Sequence, residues 1–225
     1  MEIFMNLQQA IQERHAVRDY MERPLEAAAV SALEEAVRNC NREGGLHIQL
    51  VTNEPDAFGG LMARYGKFSN VRNYIALIGQ KGPELDEKIG YYGERLALTA
   101  QMLGLNTCWA AMSYSKGKTR CDIGRDEKLV CVLSLGYGKS QGTPHRSKPM
   151  EALCVLDGAM PSWFRAGMEA AMLAPTAMNQ QKFRFTLSNG KVRAEATGGF
   201  YAAVDLGIVK YHFEAAAGPE NFQWI

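Results

Sequence analysis

The order in which helix and strand patterns follow one another constrains the fold of this chain most. Apolar residues recur at helical spacing through residues 85–103, and Gly104 ends the pattern. Apolar runs at residues 74–78 and 130–135 flank this helix and are typical of buried strands. Along the whole chain, helices and strands interleave without the regular alternation of a doubly wound parallel sheet. The sequence therefore predicts an α+β fold.

Length, charge and composition exclude several classes of protein. The 225 residues, of which 47% are hydrophobic, suffice for one good core or two small ones. A net charge of +1 gives no field that would attract nucleic acid or a membrane surface, and no window is apolar enough for a membrane-spanning helix. Five cysteines without a C-x-x-C pair and four histidines without metal-ligand spacing indicate reduced thiols and no metal site. Because the start of the chain lacks a basic n-region, we expect a cytoplasmic protein.

The order of predicted elements shows a weak internal repeat. A helix, a loop and a strand at residues 24–50 have the same order as those at residues 161–187. A polar, basic segment at residues 139–148 lies between them, and one interpretation of this segment is a linker. A helix followed by a strand is also a common unit, so duplication is one of two explanations. We predict two related subdomains, residues 1–150 and residues 151–225.

Two arginines near the start of the chain form the first candidate site. Arg14 and Arg18 are four residues apart, so they share one face of the helix that we predict over residues 7–20. Two planar guanidinium forks side by side suit a phosphate group. The alternative is a solvated basic face in which Glu13 and Asp19 are the partners of the arginines.

A polar loop in the second half forms another candidate site. Pro175 ends an apolar helix, because its ring disfavours helical geometry in the residue before it. Thr176, Asn179 and Gln181 follow within six residues. Amides donate and accept hydrogen bonds without carrying charge. This suits the mixed donor and acceptor edge of a flavin ring.

Both segments resemble motifs of the FMN-dependent nitroreductase family. The A-P-T-A-M-N-Q-Q-K-F run at residues 174–183 is similar to the family's A-P-S-x-x-N-x-Q-P-W signature, and R-H-A-V-R-D-Y at residues 14–20 is similar to R-R-S-x-R-x-F/Y. His15 and Ala16 replace the second arginine and the serine, and Lys182-Phe183 replaces Pro-Trp. With one motif in each half, the chain resembles the subfamily in which one chain folds as two nitroreductase-like subdomains around one flavin site.

The resemblance also covers Gly104 to Ala111, similar to the family's G-L-x-T-x-W segment, and residues 146–151, similar to its R-K-P-x-E-E tail. It implies that the backbone after Trp109 faces flavin N5 and that a basic pair reaches the FMN phosphate. The cofactor-binding residues it implies are Arg14, His15, Ala16, Arg18, Lys67, Asn70, Trp109, Ala110, Ala111, Arg146, Lys148, Pro175, Thr176, Ala177, Met178, Asn179 and Gln181. For residues 65–70 and 146–148 an ordinary exposed loop is the alternative, and for Trp109 a buried core side chain is.

The resemblance implies a nitroreductase-like pseudo-dimer that binds FMN and transfers hydride from NAD(P)H, through flavin N5, to a planar oxidant such as a nitroaromatic or a quinone. It implies no catalytic side chain, because the reaction belongs to the cofactor. The expected partner is a small-molecule substrate, and the expected functional unit is a monomer with one flavin. The alternative is a flavin-binding or flavin-modifying protein on the same scaffold without general NAD(P)H reductase turnover.

Overall fold

Six α-helices and eight β-strands make up residues 5–225, the part of the chain that the computed structural model describes. Residues 1–4, the start of the predicted first subdomain, lie outside the described residues. The helices are α1 (Leu7–Glu13), α2 (Ala27–Gly44), α3 (Leu61–Tyr65), α4 (Leu85–Met102), α5 (Ser162–Leu173) and α6 (Ala202–Ala217). The strands are β1 (Gln49–Val51), β2 (Asn73–Gln80), β3 (Asn106–Ala110), β4 (Glu127–Gly136), β5 (Cys154–Leu156), β6 (Phe183–Ser188), β7 (Lys191–Ala196) and β8 (Gln223–Trp224). The predicted α+β class is confirmed.

The strands form two four-stranded sheets. The first has the order β1-β2-β4-β3 and only antiparallel pairs, with Ile75 opposite Leu133. The second has the order β5-β6-β7-β8, in which an antiparallel hairpin lies between two parallel neighbours. Asn189 and Gly190 both have positive φ, 51° and 73°, as the two-residue hairpin turn requires. The predicted boundary between residues 150 and 151 falls between the two sheets and stays a prediction.

Helices α4 and α6 join the two sheets through a close backbone crossing. A Cβ atom on Gly90 would lie 2.0 Å from the carbonyl oxygen of Val204, and one on Gly207 would lie 1.9 Å from that of Glu87. Glycine at both positions therefore lets the two backbones touch. The hydrophobic core continues across this crossing, since one cluster contains side chains from β2, β4, β6 and α6. The two sheets consequently share a core.

The first helix is shorter than the sequence pattern predicts. It ends at Glu13, and the next residue, Arg14, caps it with an extended ψ of 117°. The backbone N–H of Val17 donates to Thr107 O at 3.1 Å and not to a carbonyl of its own helix. Val17 and Tyr20 are buried against the first sheet, and their three-residue spacing resembles that of a helix. The predicted helix is confirmed over residues 7–13 and is wrong over residues 14–20, because contacts distant in sequence determine the conformation of residues 14–20.

None of the helices in residues 5–225 combines the length and the apolar character needed to cross a membrane.

Candidate functional site

The extended segment at residues 14–20 runs between three parts of the first half of the chain. Isolated β-bridges pair Ala16 with Thr107 of β3, Asp19 with Ser69, and Tyr20 with Gly138. These bridges place the predicted phosphate-binding arginines beside β3 and beside the loop that contains Lys67 and Asn70.

Arg14 and Arg18 both lie within electrostatic reach of Cys108 on β3, although they do not share a helix. Burial raises the pKa of the Cys108 thiol, and the positive charges of both Arg18 and Arg14 oppose this increase, so both guanidiniums lie near one side chain of β3. Arg18 is exposed, whereas Arg14 is only 4% exposed. Within residues 5–225, neither guanidinium donates a hydrogen bond, and their alternative partner Asp19 pairs with Lys139 at 3.0 Å.

Glu94 on α4 is the buried carboxylate that holds Arg14. Its Oε1 atom lies 3.3 Å from the Nε of Arg14 and 2.9 Å from the Nε2 of His212. Its Oε2 atom accepts a hydrogen bond of 2.8 Å from the indole N–H of Trp109. Burial alone would raise the pKa of Glu94, but the charge of Arg14 and the hydrogen bonds from His212 and Trp109 hold this pKa below its usual value.

Sequence reasoning missed Glu94, although a signal exists. Glu94 follows Gly93 and precedes Ala97 on the buried face of α4. A carboxylate at a buried position of an amphipathic helix needs a partner of opposite charge. Its partner Trp109 was expected at the site, and it is partly buried with a fixed ring orientation.

The polar loop at residues 175–181 binds directly to the basic segment at residues 146–148. The buried amide of Gln181 accepts a hydrogen bond of 2.7 Å from the Lys148 backbone and donates one of 2.9 Å to Arg146 O. Asn179 donates to the same carbonyl at 3.0 Å. The Lys148 ammonium donates to the carbonyls of Gln180 and Gln181 at 2.9 and 3.0 Å. These side chains thus fasten two chain segments together, and their contact with a flavin stays a prediction.

The loop has a defined and strained backbone. Pro175 ends α5 as predicted, and the residue before it, Ala174, is extended with ψ 138°. Met178, Asn179 and Gln181 have φ values of 52°, 53° and 45°, in the left-handed region that favours glycine. Non-glycine residues keep such angles only where their surroundings hold them, and such strain is frequent at ligand-binding sites.

Two polar contacts hold the strained loop in place. The Thr176 hydroxyl accepts a hydrogen bond of 3.1 Å from the Gln181 N–H. The buried carboxylate of Asp205, in the first turn of α6, accepts bonds of 2.9 Å from the Ala177 N–H and 2.7 Å from the Gln180 amide. Asp205 therefore connects the loop to α6, the helix that crosses α4. Sequence reasoning missed this residue.

The remaining predicted residues lie around the segment at residues 14–20. Asn70, with φ 56°, donates its amide to Tyr20 O at 3.2 Å, and Lys67 is exposed with φ 61°. Ala110 is buried at the end of β3, and Ala111 is partly buried immediately after it. Small side chains follow Trp109 here, as the sequence predicts, and their contact with a flavin stays a prediction.

The segment at residues 139–148 connects the arginines to the polar loop. Gly142 packs so tightly that a Cβ atom there would lie 2.8 Å from the Cβ of His15. Burial, with the positive charges of Arg14 and His145, lowers the pKa of His15. His145 in turn contacts Met172 O, near the end of α5, at 2.9 Å. The residues predicted from the two sequence motifs are thus linked through one intervening segment.

The donors of this region fit an anionic ligand. The Thr107 hydroxyl and the Arg14 Nε are buried, and neither makes a hydrogen bond among residues 5–225, although the Arg14 Nε lies 3.3 Å from the Glu94 carboxylate. Thr107 lies beside the segment at residues 14–20, which also carries the exposed cation Arg18. Arg146, on the segment at residues 139–148, is a second exposed cation. Buried donors normally have partners, and a phosphate group would offer acceptors to Thr107 and to the guanidiniums.

Two surface cavities lie elsewhere on the molecule. The larger, of about 360 Å³, is lined by side chains such as Tyr91, Lys210 and Trp224, and the other opens at the start of α4. Neither cavity contains a residue from the predicted cofactor site. We assign the candidate site from its donors and its strained loop.

Comparison with known proteins identifies the family. Residues 6–217 match the sequence model of the family described as "Putative TM nitroreductase". The fold resembles that of a putative nitroreductase from Thermotoga maritima, with 23% identity, a TM-score of 0.64, and coverage of 95% of this chain and 84% of the other.

Two further solved structures have the same fold. A putative nitroreductase in complex with FMN from Desulfovibrio desulfuricans is 18% identical, with a TM-score of 0.55 over 70% of this chain and 99% of its own. A Putative NADH dehydrogenase/NAD(P)H nitroreductase from Parabacteroides distasonis is 20% identical, with a TM-score of 0.51 over 66% and 97% of the two chains. No curated protein matches the sequence. Since the family's sequence model spans nearly the whole chain, this protein belongs to the family described as "Putative TM nitroreductase" and has a nitroreductase fold.

Proposed function

We propose that this protein is an FMN-dependent oxidoreductase that takes hydride from NAD(P)H and delivers it to a planar oxidant such as a nitroaromatic or a quinone. The observation that carries the proposal is the position of two arginines near Cys108 of β3: Arg14, which is paired with Glu94 but donates no hydrogen bond within residues 5–225, and the exposed Arg18. Family membership supports it. So do the FMN in the Desulfovibrio desulfuricans structure and the NAD(P)H in the description of the Parabacteroides distasonis protein.

The phosphate of FMN would bind to the arginines. Arg14 is held in place by Glu94, and Arg18 is free to approach from the surface. A hydrogen bond to a charged group contributes about 1.5–3 kcal/mol. Of the basic pair on the segment at residues 146–148, we assign the phosphate contact to Arg146, because the Lys148 ammonium already donates to two carbonyls of the polar loop.

The flavin ring would lie between the backbone after Trp109 and the strained loop. Ala110 and Ala111 allow close backbone approach, and the polar loop at residues 175–181 presents Met178, which is 92% exposed, with amides and a hydroxyl. A bound flavin supplies the hydride chemistry at N5. The protein's own contribution is to hold two flat rings at a near-attack distance of about 3–3.5 Å.

Flavin binding and anaerobic reduction test this proposal. Apoprotein is titrated with FMN, FAD and riboflavin, and the complex then receives NADH or NADPH without oxygen. We expect FMN to bind most tightly, because only FMN carries a terminal monophosphate, and we expect a nicotinamide to bleach its absorbance. Absence of FMN binding would refute the proposal. Binding without reduction by either nicotinamide would favour the flavin-binding or flavin-modifying alternative.

A further inference from the structure

We propose that Glu94 is a positioning residue of the flavin site, which joins its two halves by binding Arg14, Trp109 and a doubly protonated His212 at the same time. The inference rests on the proposed function, because it assigns Arg14 and Trp109 to that site. It adds Glu94 and His212, neither of which belongs to the two sequence motifs.

The geometry places one carboxylate between the two halves of the chain. Arg14 and Trp109 come from the first half, and His212 comes from α6 in the second half. Glu94 and His212 are both 0% exposed. Because both side chains are buried, the contacts with Arg14, Trp109 and His212 fix the carboxylate, and it in turn fixes them.

The hydrogen bonds determine the charge of His212. Its Nδ1 lies 3.0 Å from the carbonyl oxygen of Ala170, and its Nε2 lies 2.9 Å from Glu94 Oε1. A carbonyl oxygen only accepts hydrogen bonds, and so does an ionised carboxylate. Glu94 is ionised, because the charge of Arg14 and the hydrogen bonds from His212 and Trp109 outweigh the effect of burial and lower its pKa. Both ring nitrogens of His212 therefore carry protons, and the ring is an imidazolium.

The surroundings favour this charge. Ala170 lies in the last turn of α5, where carbonyls without a helical hydrogen-bond partner and the helix dipole stabilise a cation. Two cations and one anion, Arg14, His212 and Glu94, leave a net charge of +1 in the buried cluster. A phosphate bound to Arg14 would compensate this excess.

Other titratable groups at the interface of α4 with α6 have their own partners. The Tyr91 hydroxyl donates to Glu214 at 2.6 Å, and Lys210 pairs with Glu87 at 2.6 Å. Burial raises the pKa of Tyr211 to about 12, so this phenol is neutral at physiological pH. Arg95, on the same helix as Glu94, pairs with Glu43 on α2. Among residues 5–225, Glu94 is therefore the carboxylate that faces His212.

The contact between Glu94 and His212 also helps to position the polar loop at residues 175–181. His212 holds the end of α5 through Ala170, and the loop at residues 175–181 begins directly after that helix. Asp205, two turns earlier on α6, binds the same loop. Fixing α6 to Glu94 thus fixes the loop relative to Arg14 and Trp109.

The test compares Glu94→Gln with Glu54→Gln. Glu54 is also a buried carboxylate, 1% exposed, but its oxygens accept from the backbone N–H groups of Asp56 and Ala57, away from the cluster. We expect FMN to bind E94Q at least about tenfold more weakly than wild type, the loss of one charge-assisted contact. We expect E54Q to bind as wild type does. Wild type that binds no FMN would contradict the proposed function, whereas equal binding by wild type and E94Q would contradict this inference alone.

The second measurement needs no flavin. Nitrogen-15 NMR of the histidine rings in wild-type apoprotein at pH 7.5 is expected to find both nitrogens of His212 protonated, and a neutral ring would overturn the inference. In E94Q we expect one ring nitrogen of His212 to lose its proton. Should E94Q fail to fold, His212→Gln is the second variant. It keeps a donor to Glu94 but removes the positive charge. We expect it to bind FMN more weakly than E54Q does. Wild-type affinity in H212Q would contradict the proposed coupling.

Discussion

The carboxylate of Asp205 lies 2.9 Å from the backbone nitrogen of Ala177 and so fastens the start of the polar loop to the first turn of α6. A second bond of 2.7 Å, from the Gln180 amide, holds the middle of the loop. The strained φ angles at Met178 and Asn179 lie between these two attachment points. A single buried carboxylate therefore supports the conformation on which the candidate site depends.

Asp205→Ala should release the loop. Hydrogen bonds to a charged group are lost, and the cost of burying the carboxylate is lost with them, so we expect a net decrease in unfolding free energy of about 1–3 kcal/mol. Amide hydrogen exchange at Ala177 and a urea denaturation curve measure the two effects. Asp157→Ala is the control, because Asp157 is exposed and accepts a bond of 2.7 Å from Ser188 at the edge of the second sheet. Unchanged exchange at Ala177 would contradict the role of Asp205.

The stability contribution of Asp205 should depend on pH. Burial raises its pKa above the ordinary 3.8, although the bonds from Gln180 and Ala177 oppose the increase. The folded protein therefore binds this proton more tightly than the unfolded chain does. The resulting stability is fully present below pH 3.8 and is lost as the pH rises through the folded-state pKa. We expect wild type to gain unfolding free energy relative to Asp205→Asn as the pH falls from 7 toward 3.8, and the opposite slope would contradict the assignment.

Arg18→Ala should weaken FMN binding more than it changes turnover of the flavin-saturated enzyme. One charge-assisted phosphate contact corresponds to about tenfold or more in affinity. Riboflavin, which lacks the phosphate, should bind wild type and the variant equally. Arg23→Ala is a matched control, since Arg23 is also exposed but pairs with Glu26 and stacks 4.0 Å from the Tyr137 ring. Equal loss of FMN and riboflavin affinity in R18A would show that Arg18 does not bind the phosphate.

Local sequence signals predicted those parts of the fold that local interactions determine. The helix expected at residues 85–103 is α4, and the turn expected at Asn189-Gly190 joins β6 to β7. The end of α1 was mispredicted, because burial of Val17 and Tyr20 on the first sheet outweighs the helical spacing. Strand order and the crossing of α4 with α6 depend on contacts distant in sequence, and periodicity contains no information about them.

The candidate site shows the same division between residues that local motifs predict and residues that depend on contacts distant in sequence. The motifs led to Arg14, Arg18 and the loop at residues 175–181, because those residues are contiguous in sequence and chemically distinctive. Glu94 and His212 are 118 residues apart, and each alone resembles an ordinary helix residue. The role that we propose for them follows from their contact, which no spacing within one motif encodes. Whether the motif residues contact a flavin stays a prediction until binding is measured.

Gly207→Ala should destabilise the protein despite its helical position. Alanine is the better helix former by up to about 1 kcal/mol, so local propensity alone predicts a gain. The new Cβ would lie 1.9 Å from Glu87 O, and backbone atoms cannot move aside as a flexible side chain can. Overpacking of this kind costs about 1–3 kcal/mol or more. Gly117→Ala, where no atom lies within 4 Å, is the control, and urea denaturation of both variants decides between the two effects.

A single chain should form the functional unit and bind one flavin. The arginines at residues 14–18 and the loop at residues 175–181 belong to opposite halves of the chain, yet the segment at residues 139–148 contacts both. The glycine crossing of α4 with α6 brings those halves into backbone contact, so we expect one chain to complete the site without a second copy. Sedimentation velocity with detection at flavin wavelengths measures the mass of the flavin-bound species, and FMN titration gives the stoichiometry. We expect a monomer with one FMN. A dimer with two flavins, in which substitutions at the contact between chains release the flavin, would contradict this prediction, because it would show that each site takes ligands from both chains.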